Sequence, residues 1–311
     1  MNMTKELIVN EIHGKFRKNF QRRRVLQVGI NDTWQIDLVE MISHSKDNNG
    51  YKYILTIIDI FSKYAYAAPL KNKSAKVVAN AMKNIFKNTN ITPRNIHSDE
   101  GKEFFNKEFH NLMKLNKVNH FHTHSSKKAS IIERWNRTLK NIMYKQFSLN
   151  GNYKWATILQ DIVKVYNNTV HRTIKMKPKN VTVNDEEKLL KIYRKLESQI
   201  KVKSNSLLKI GDYVRISKEK GIFEKDYYPN YSTEIFRITN VQKTKPITYL
   251  ISDLNGEKVL GCFYKEELKK TMEINNYLVE KILKKNKNKV FVKWLGFDNS
   301  YNSWIPKSDL L

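Results

Sequence analysis

A single cysteine, Cys262, is present among 311 residues. That excludes an intramolecular disulfide framework and any zinc finger built on several cysteines. It also leads us to expect a reducing compartment such as cytosol or nucleus. Acid is scarce too: 30 Asp and Glu stand against 57 Lys and Arg, a formal net charge of +27. An excess of that size repels itself unless a polyanion neutralises it, so nucleic acid is the first partner to expect, bound with a salt-dependent affinity. No run of about 18 apolar residues occurs, so no membrane partner is expected. The opening MNMTKELIVNEIHG carries no signal-peptide apolar stretch. Core material is not lacking. Hydrophobic residues make up 40% of the chain, which argues against wholesale disorder, and the length allows two or three domains.

Three carboxylates stand out by their settings. Asp37 lies in the middle of the apolar run WQIDLVEM, where an unpaired buried carboxylate costs several kcal/mol. Asp99 follows a short apolar approach and precedes Gly101, and Glu133 comes early in a helix-like segment. Two strand-borne aspartates and one helix-borne glutamate form an oxygen-only donor set suited to Mg²⁺ or Mn²⁺. Taken singly, each is more often a solvated surface charge. Held together around two ions, they suit phosphodiester cleavage and joining.

The order of segments predicts βββαβαβα. Strands are expected over 31–41, 51–60, 61–69, 95–98 and 118–122, and helices over 75–87, from 106 to 115, and from about 129. Asp59 is read as ending the second strand and bonding the following turn, not as catalytic. On the long helix Glu133, Asn136, Arg137 and Lys140 share one face, and Ile132, Trp135, Leu139, Ile142 and Met143 face the core. A further helix is expected from Tyr153 to Tyr166, with Asn167, Asn168 and His171 pinning its end. His120, His122 and His124 alternate on a strand; a polar cluster near the acidic site is the ordinary outcome, a zinc site the remote one.

These segments (DTWQIDLVEM, DIFSKYAYAAPLKNKSA, HSDEGKEFF, KKASIIERWNRTLK and YNNTVHRTI) resemble the core of retrovirus-like integrases, most closely those of Polinton (Maverick) elements and virophages. The resemblance implies an α/β ribonuclease-H-like catalytic core, a mixed five-stranded sheet with helices, plus two small all-β or β-rich C-terminal modules. It implies a DNA integrase that trims 3′ ends and joins them to target DNA. The catalytic and metal-binding triad carries over onto Asp37, Asp99 and Glu133, with two Mg²⁺ or Mn²⁺ ions. Asn136, Arg137 and Lys140 would approach the element-end DNA, and the resemblance implies a host nuclear location, with packaging in a virion as a further option, and a tetramer or larger assembly on DNA. The 33 residues between Asp99 and Glu133 form a gap slightly shorter than usual, Glu100 replaces a neutral or basic residue, and the N-terminal zinc module common in integrases cannot form. The alternatives are an integrase-derived, non-catalytic chromatin-binding protein and a nuclease that cleaves without joining.

The expected layout is a basic N-terminal arm (1–30) whose Arg22, Arg23 and Arg24 contact DNA, the core (31–182), a helical linker (183–206), a small SH3-like β-barrel (207–270) and a chromodomain (274–311). In the barrel Arg215, Lys218, Lys220 and Arg237 are candidates for DNA contact. The final module, with KWLGF and NSWIP, resembles a chromodomain. Its methyl-lysine cage carries over onto Tyr277, Trp294 and Phe297, with a methylated histone tail as partner, while Trp304 is read as core.

Overall fold

The computed structural model describes residues 3–17, 19–23, 25, 27–122, 129–198, 208–218, 227–274 and 276–310. The chain divides into two units. One is Val25–Gln199; the other combines Met1–Arg24 with Ile200–Leu311.

The first unit is built on five strands: β1 (Thr33–Glu40), β2 (Tyr53–Asp59), β3 (Ala65–Leu70), β4 (Asn95–Ser98) and β5 (Asn119–His122), in the order β3-β2-β1-β4-β5. The first three form an antiparallel meander, and β4 and β5 add in parallel. Strand parity decides what each face receives. Trp34 and Ile36 of β1 and Tyr53, Leu55 and Ile57 of β2 pack under the helices that carry Val78, Met82, Phe86 and Phe109. Val39, Ile54 and Ile58 pack instead with Ile132, Trp135, Leu139 and Met143. Gln35 and Asp37 share the parity of Val39, so an amide and a carboxylate are presented to that second helical layer.

The α-helices among the described residues are α1 (Met3–Ile12), α2 (Ala75–Thr89), α3 (Lys107–Leu115), α4 (Ser130–Asn150), α5 (Leu159–Asn168) and α6 (Glu186–Ser198). Asn106 caps α3 as expected, accepting from the Phe109 N–H at 2.8 Å. Helix α5 starts six residues later than the pattern from Tyr153 suggested. Asn48 causes the delay: its amide donates to the Tyr153 carbonyl and accepts from the Ala156 N–H. Those bonds hold the segment around the buried Trp155 out of the helix. The end-pinning role of Asn167 is also different. Its amide bonds both the N–H and the C=O of Ala65, each at 2.9 Å. One helical face further back, Gln160 donates to the Ala67 carbonyl. Helix α5 thus satisfies the outer backbone of the edge strand β3, which would otherwise template pairing with another chain.

Helix α6 is no free linker. Leu189 and Tyr193 are buried with Phe61 and Ile174, and the Tyr193 hydroxyl donates to the Phe61 carbonyl. Asp59 does what the turn chemistry predicts, accepting from the N–H groups of Phe61 and Ser62.

The second unit holds a five-stranded sheet and a three-stranded one. The first comprises β6 (Tyr213–Ile216), β7 (Phe236–Gln242), β8 (Thr248–Ser252), β9 (Phe263–Tyr264) and β10 (Leu268–Lys270), ordered β10-β6-β7-β8-β9. The second is β11 (Val279–Lys285), β12 (Lys289–Trp294) and β13 (Ser303–Pro306), an antiparallel meander. The N-terminal segment is packed within this unit. Ile8 and Ile12 of α1 are buried with Leu278, and Glu11 accepts from Arg215 Nε at 3.1 Å and from Thr271. Arg215 is therefore a buried internal partner, 1% exposed, and not a DNA contact. Gly296, at φ +83°, lies so close to Thr233 that a Cβ would fall 2.0 Å from its hydroxyl. Trp304 is 46% exposed and leans on Phe291, not core; an outward position on β13 escaped a reading based on residue type.

Candidate active site

The three carboxylates arrive on three different elements. Asp37 sits at mid-strand in β1, opposite Thr56 of β2, whose hydroxyl donates to the Asp37 carbonyl. Asp99 follows the last residue of β4. Glu133 stands in the first turn of α4 and is exposed. Burial raises the Asp37 carboxyl to about 6; the Leu38 N–H opposes this, and the charges of Asp99, Glu133 and Glu103 reinforce it. The predicted triad therefore converges within electrostatic reach of one residue. It is not drawn into a tight ligand cluster, and among the described residues no three His, Cys, Asp or Glu side chains form one. Asp37 is held instead by protein donors: Oδ1 accepts from Leu38 N–H and Oδ2 from Asn136 Nδ2, both at 2.8 Å.

Asn136 was expected to face DNA. In the structure its amide orients Asp37, while its Oδ1 accepts from no donor among the described residues. Arg137 and Lys140 continue the same face, both exposed. Glu103 is a fourth carboxylate that the sequence reading passed over. An added Cβ at Gly101 would lie 2.9 Å from its Oε2 and 3.0 Å from Asp99 Oδ1, so Glu103 and Asp99 crowd the same glycine. Its place two residues after that glycine was the available signal.

Beside Asp99, Ser98 hydroxyl meets His120 Nε2 at 2.9 Å, and His122 lies 3.2 Å from Glu100. Both imidazoles pack on Phe105. Burial, then the neighbouring histidines, lowers His120 to about 4. This is the polar cluster expected beside the acidic site; His124 lies outside the described residues.

Of the three arginines proposed to contact DNA, Arg22 covers the Phe20 ring and lies 3.9 Å from Glu267. The Arg23 backbone N–H donates to the Tyr264 hydroxyl. Arg24 lies outside the described residues, as does Lys220. In the second unit Tyr277, Trp294 and Phe297 do come together: Tyr277 meets Trp294 at 5.9 Å and Phe297 at 5.5 Å between ring centroids, both edge-on. With Tyr301, Glu234 and Asp253 they line a cavity of about 340 Å³.

The chain is similar to known proteins in sequence and in fold. The family model described as integrase core domain matches residues 28–128. A transposon-derived protein of Caenorhabditis elegans is 34% identical over 222 residues, covering 70% of this chain and 74% of that protein. The Gag-Pol polyprotein of feline leukemia virus is 31% identical over 139 residues, 44% of this chain but only 8% of the polyprotein. Among solved structures, the simian T-cell lymphotropic virus intasome aligns with 88% of this chain and 92% of its own at a TM-score of 0.57 and 15% identity. The fold is thus the ribonuclease-H-like one, followed by β-rich sheets.

Proposed function

The chain belongs to the integrase core-domain family, and from that premise we propose that it is a DNA integrase that trims the 3′ ends of a mobile element and joins them to target DNA. The observation that carries this reading is the convergence of Asp99, Glu133 and Glu103 on a half-buried Asp37 whose carboxyl is raised to about 6. Crowded like charges of this kind are what a hard divalent cation relieves, and the all-oxygen donor set fits Mg²⁺ or Mn²⁺. Asp37, Asp99 and Glu133 would hold two such ions, which supply charge neutralisation at the attacking and leaving oxygens.

The protein's own groups do the rest by positioning. Leu38 N–H and Asn136 fix the Asp37 carboxylate. Arg137 and Lys140 take the DNA phosphates next to Glu133 on the helix. In trimming, water attacks the phosphodiester near the element end and the bond to the 3′ oxygen breaks, leaving a free 3′-hydroxyl. In joining, that hydroxyl attacks a target phosphodiester; a new P–O bond forms as the target's P–O3′ bond breaks. No covalent enzyme intermediate intervenes. The partners are element-end and target DNA, the working form is a multimer on paired ends, the setting is the host nucleus, and the element is of the Polinton or virophage kind.

The test is joining of an oligonucleotide end into a plasmid with Mg²⁺. Glu133→Gln removes one charge from an exposed position. It is expected to keep DNA binding and lower joining about 10³-fold. Full joining by that variant removes Glu133 from the mechanism, and cleavage without joining by the unaltered protein makes it a nuclease.

The final module is read as a chromodomain that tethers the integrase to chromatin. Aromatic faces at Tyr277, Trp294 and Phe297, with Glu234 and Asp253 lining the same cavity, suit a methylated ammonium. Tyr277→Ala is expected to weaken binding of a trimethyl-lysine histone-tail peptide about tenfold, with an unmethylated peptide as control in fluorescence anisotropy.

A further inference from the structure

Gln35 is fully buried, yet nothing in the reaction requires an amide there. Its Oε1 accepts from the Ile132 N–H at 3.0 Å, and its Nε2 lies 3.1 Å from His97 Nδ1. A peptide N–H only donates, so the oxygen must face Ile132 and the NH₂ must face the imidazole. His97 Nδ1 is therefore the acceptor, and the ring carries its proton on Nε2. His97 is itself buried and stacked on Phe121 of β5 at 4.9 Å with the planes 3° apart. Ile132 belongs to the first turn of α4, where a backbone N–H has no helical carbonyl to bond.

The three partners share a relation to the carboxylates. Gln35 precedes Asp37 by two residues on the same face of β1. His97, on β4, precedes Asp99 by two. Ile132 immediately precedes Glu133 on α4. The parallel ladder between β1 and β4 runs from Thr33↔Asn95 to Gln35↔His97 and stops there. Beyond that last rung no ladder bond sets Asp37 against Asp99. We propose that Gln35 is a positioning residue: one amide that bonds β1 to β4 and α4 and so fixes the separation of the three carboxylates. This inference rests on the integrase reading for its purpose, though not for its geometry.

The test uses the full chain. Gln35→Met keeps the shape and removes both bonds. His97→Phe removes the acceptor, whereas His97→Asn retains an acceptor oxygen near the position of Nδ1. Three measurements are made: hydrogen exchange of the peptide spanning Ile132 without DNA or metal, Mg²⁺ binding to the free protein by calorimetry, and the Mg²⁺ dependence of joining. We expect faster exchange in Gln35→Met, and a half-saturating Mg²⁺ concentration raised about tenfold in Gln35→Met and His97→Phe, in line with groups that orient metal ligands. Joining at saturating Mg²⁺ should recover to within about threefold, a recovery that general destabilisation would not give, and His97→Asn should restore the Mg²⁺ requirement of the unaltered protein. Unchanged Mg²⁺ binding and exchange in Gln35→Met overturns the proposal and leaves the integrase reading intact. Altered Mg²⁺ binding in a protein that never joins DNA supports the clamp while sinking that reading. Equal impairment by His97→Asn and His97→Phe also overturns the proposal.

Discussion

Asp37→Asn is expected to yield a protein that melts higher than the unaltered one and joins no DNA. The stability gain follows from the sign of the shift. Burial, together with Asp99, Glu133 and Glu103, puts the folded-state carboxyl at about 6, above its ordinary 3.8. The folded protein therefore holds this proton more tightly than the unfolded chain does. The stability tied to it is full below about pH 4 and is lost as pH rises to about 6, so at neutral pH ionised Asp37 costs on the order of 3 kcal/mol. Asparagine stays neutral throughout. It also keeps its bonds: Oδ1 still accepts from Leu38 N–H, and the Asn136 amide can turn so that its unpartnered Oδ1 accepts from the new NH₂. Calorimetry at pH 7.5 should show a rise of several degrees, shrinking toward zero near pH 4. Joining should fall about 10³-fold or more. In the unaltered protein Mg²⁺ binding should weaken as pH drops through about 6, when Asp37 takes its proton. A melting temperature that falls, or joining that survives, would refute this account of the site.

The largest structural loss is expected from Asn167→Leu. Leucine fills nearly the same space but leaves the N–H and C=O of buried Ala65 without the partners that Asn167 provides. At about 1–3 kcal/mol for each stranded group, the unit should lose roughly 3 kcal/mol or more. The adjacent Asn168 supplies the control: among the described residues its side chain bonds only the Lys164 carbonyl, at the surface, so Asn168→Leu should change the urea midpoint little. Similar midpoints for the two variants would show that α5 does not seal the β3 edge as described.

That pair also marks what the sequence discloses. Both asparagines read identically in YNNTVHRTI, and only the register of α5 against β3 separates the buried one from the exposed one. The strands of the core were legible because apolar and β-branched runs dominate them. β4 was legible to the residue, since Pro93 and Asp99 bracket it. Asp37 was legible as a carboxylate inside such a run. Glu103 was not, because it lies in a polar turn where an acid is unremarkable and only the fold around Gly101 brings it to Asp99. The start of α5 was misplaced because a distant side chain, Asn48, overrides local periodicity. Gln35 was passed over because an amide beside Asp37 in the sequence gives no sign of its two partners, 62 and 97 residues away.

The first helix carries a consequence for synthesis on the ribosome. Glu11 finds Arg215 across 204 positions and Thr271 across 260, so α1 leaves the exit tunnel long before anything it will pack upon. Residues 25–199 can collapse while still being translated. The segment ahead of them must wait, with Ile8 and Ile12 uncovered, until Arg215, Thr271 and Leu278 have been made. Closing so long a loop costs little more entropy than a shorter one, but it can come only after residues 25–199 have been made.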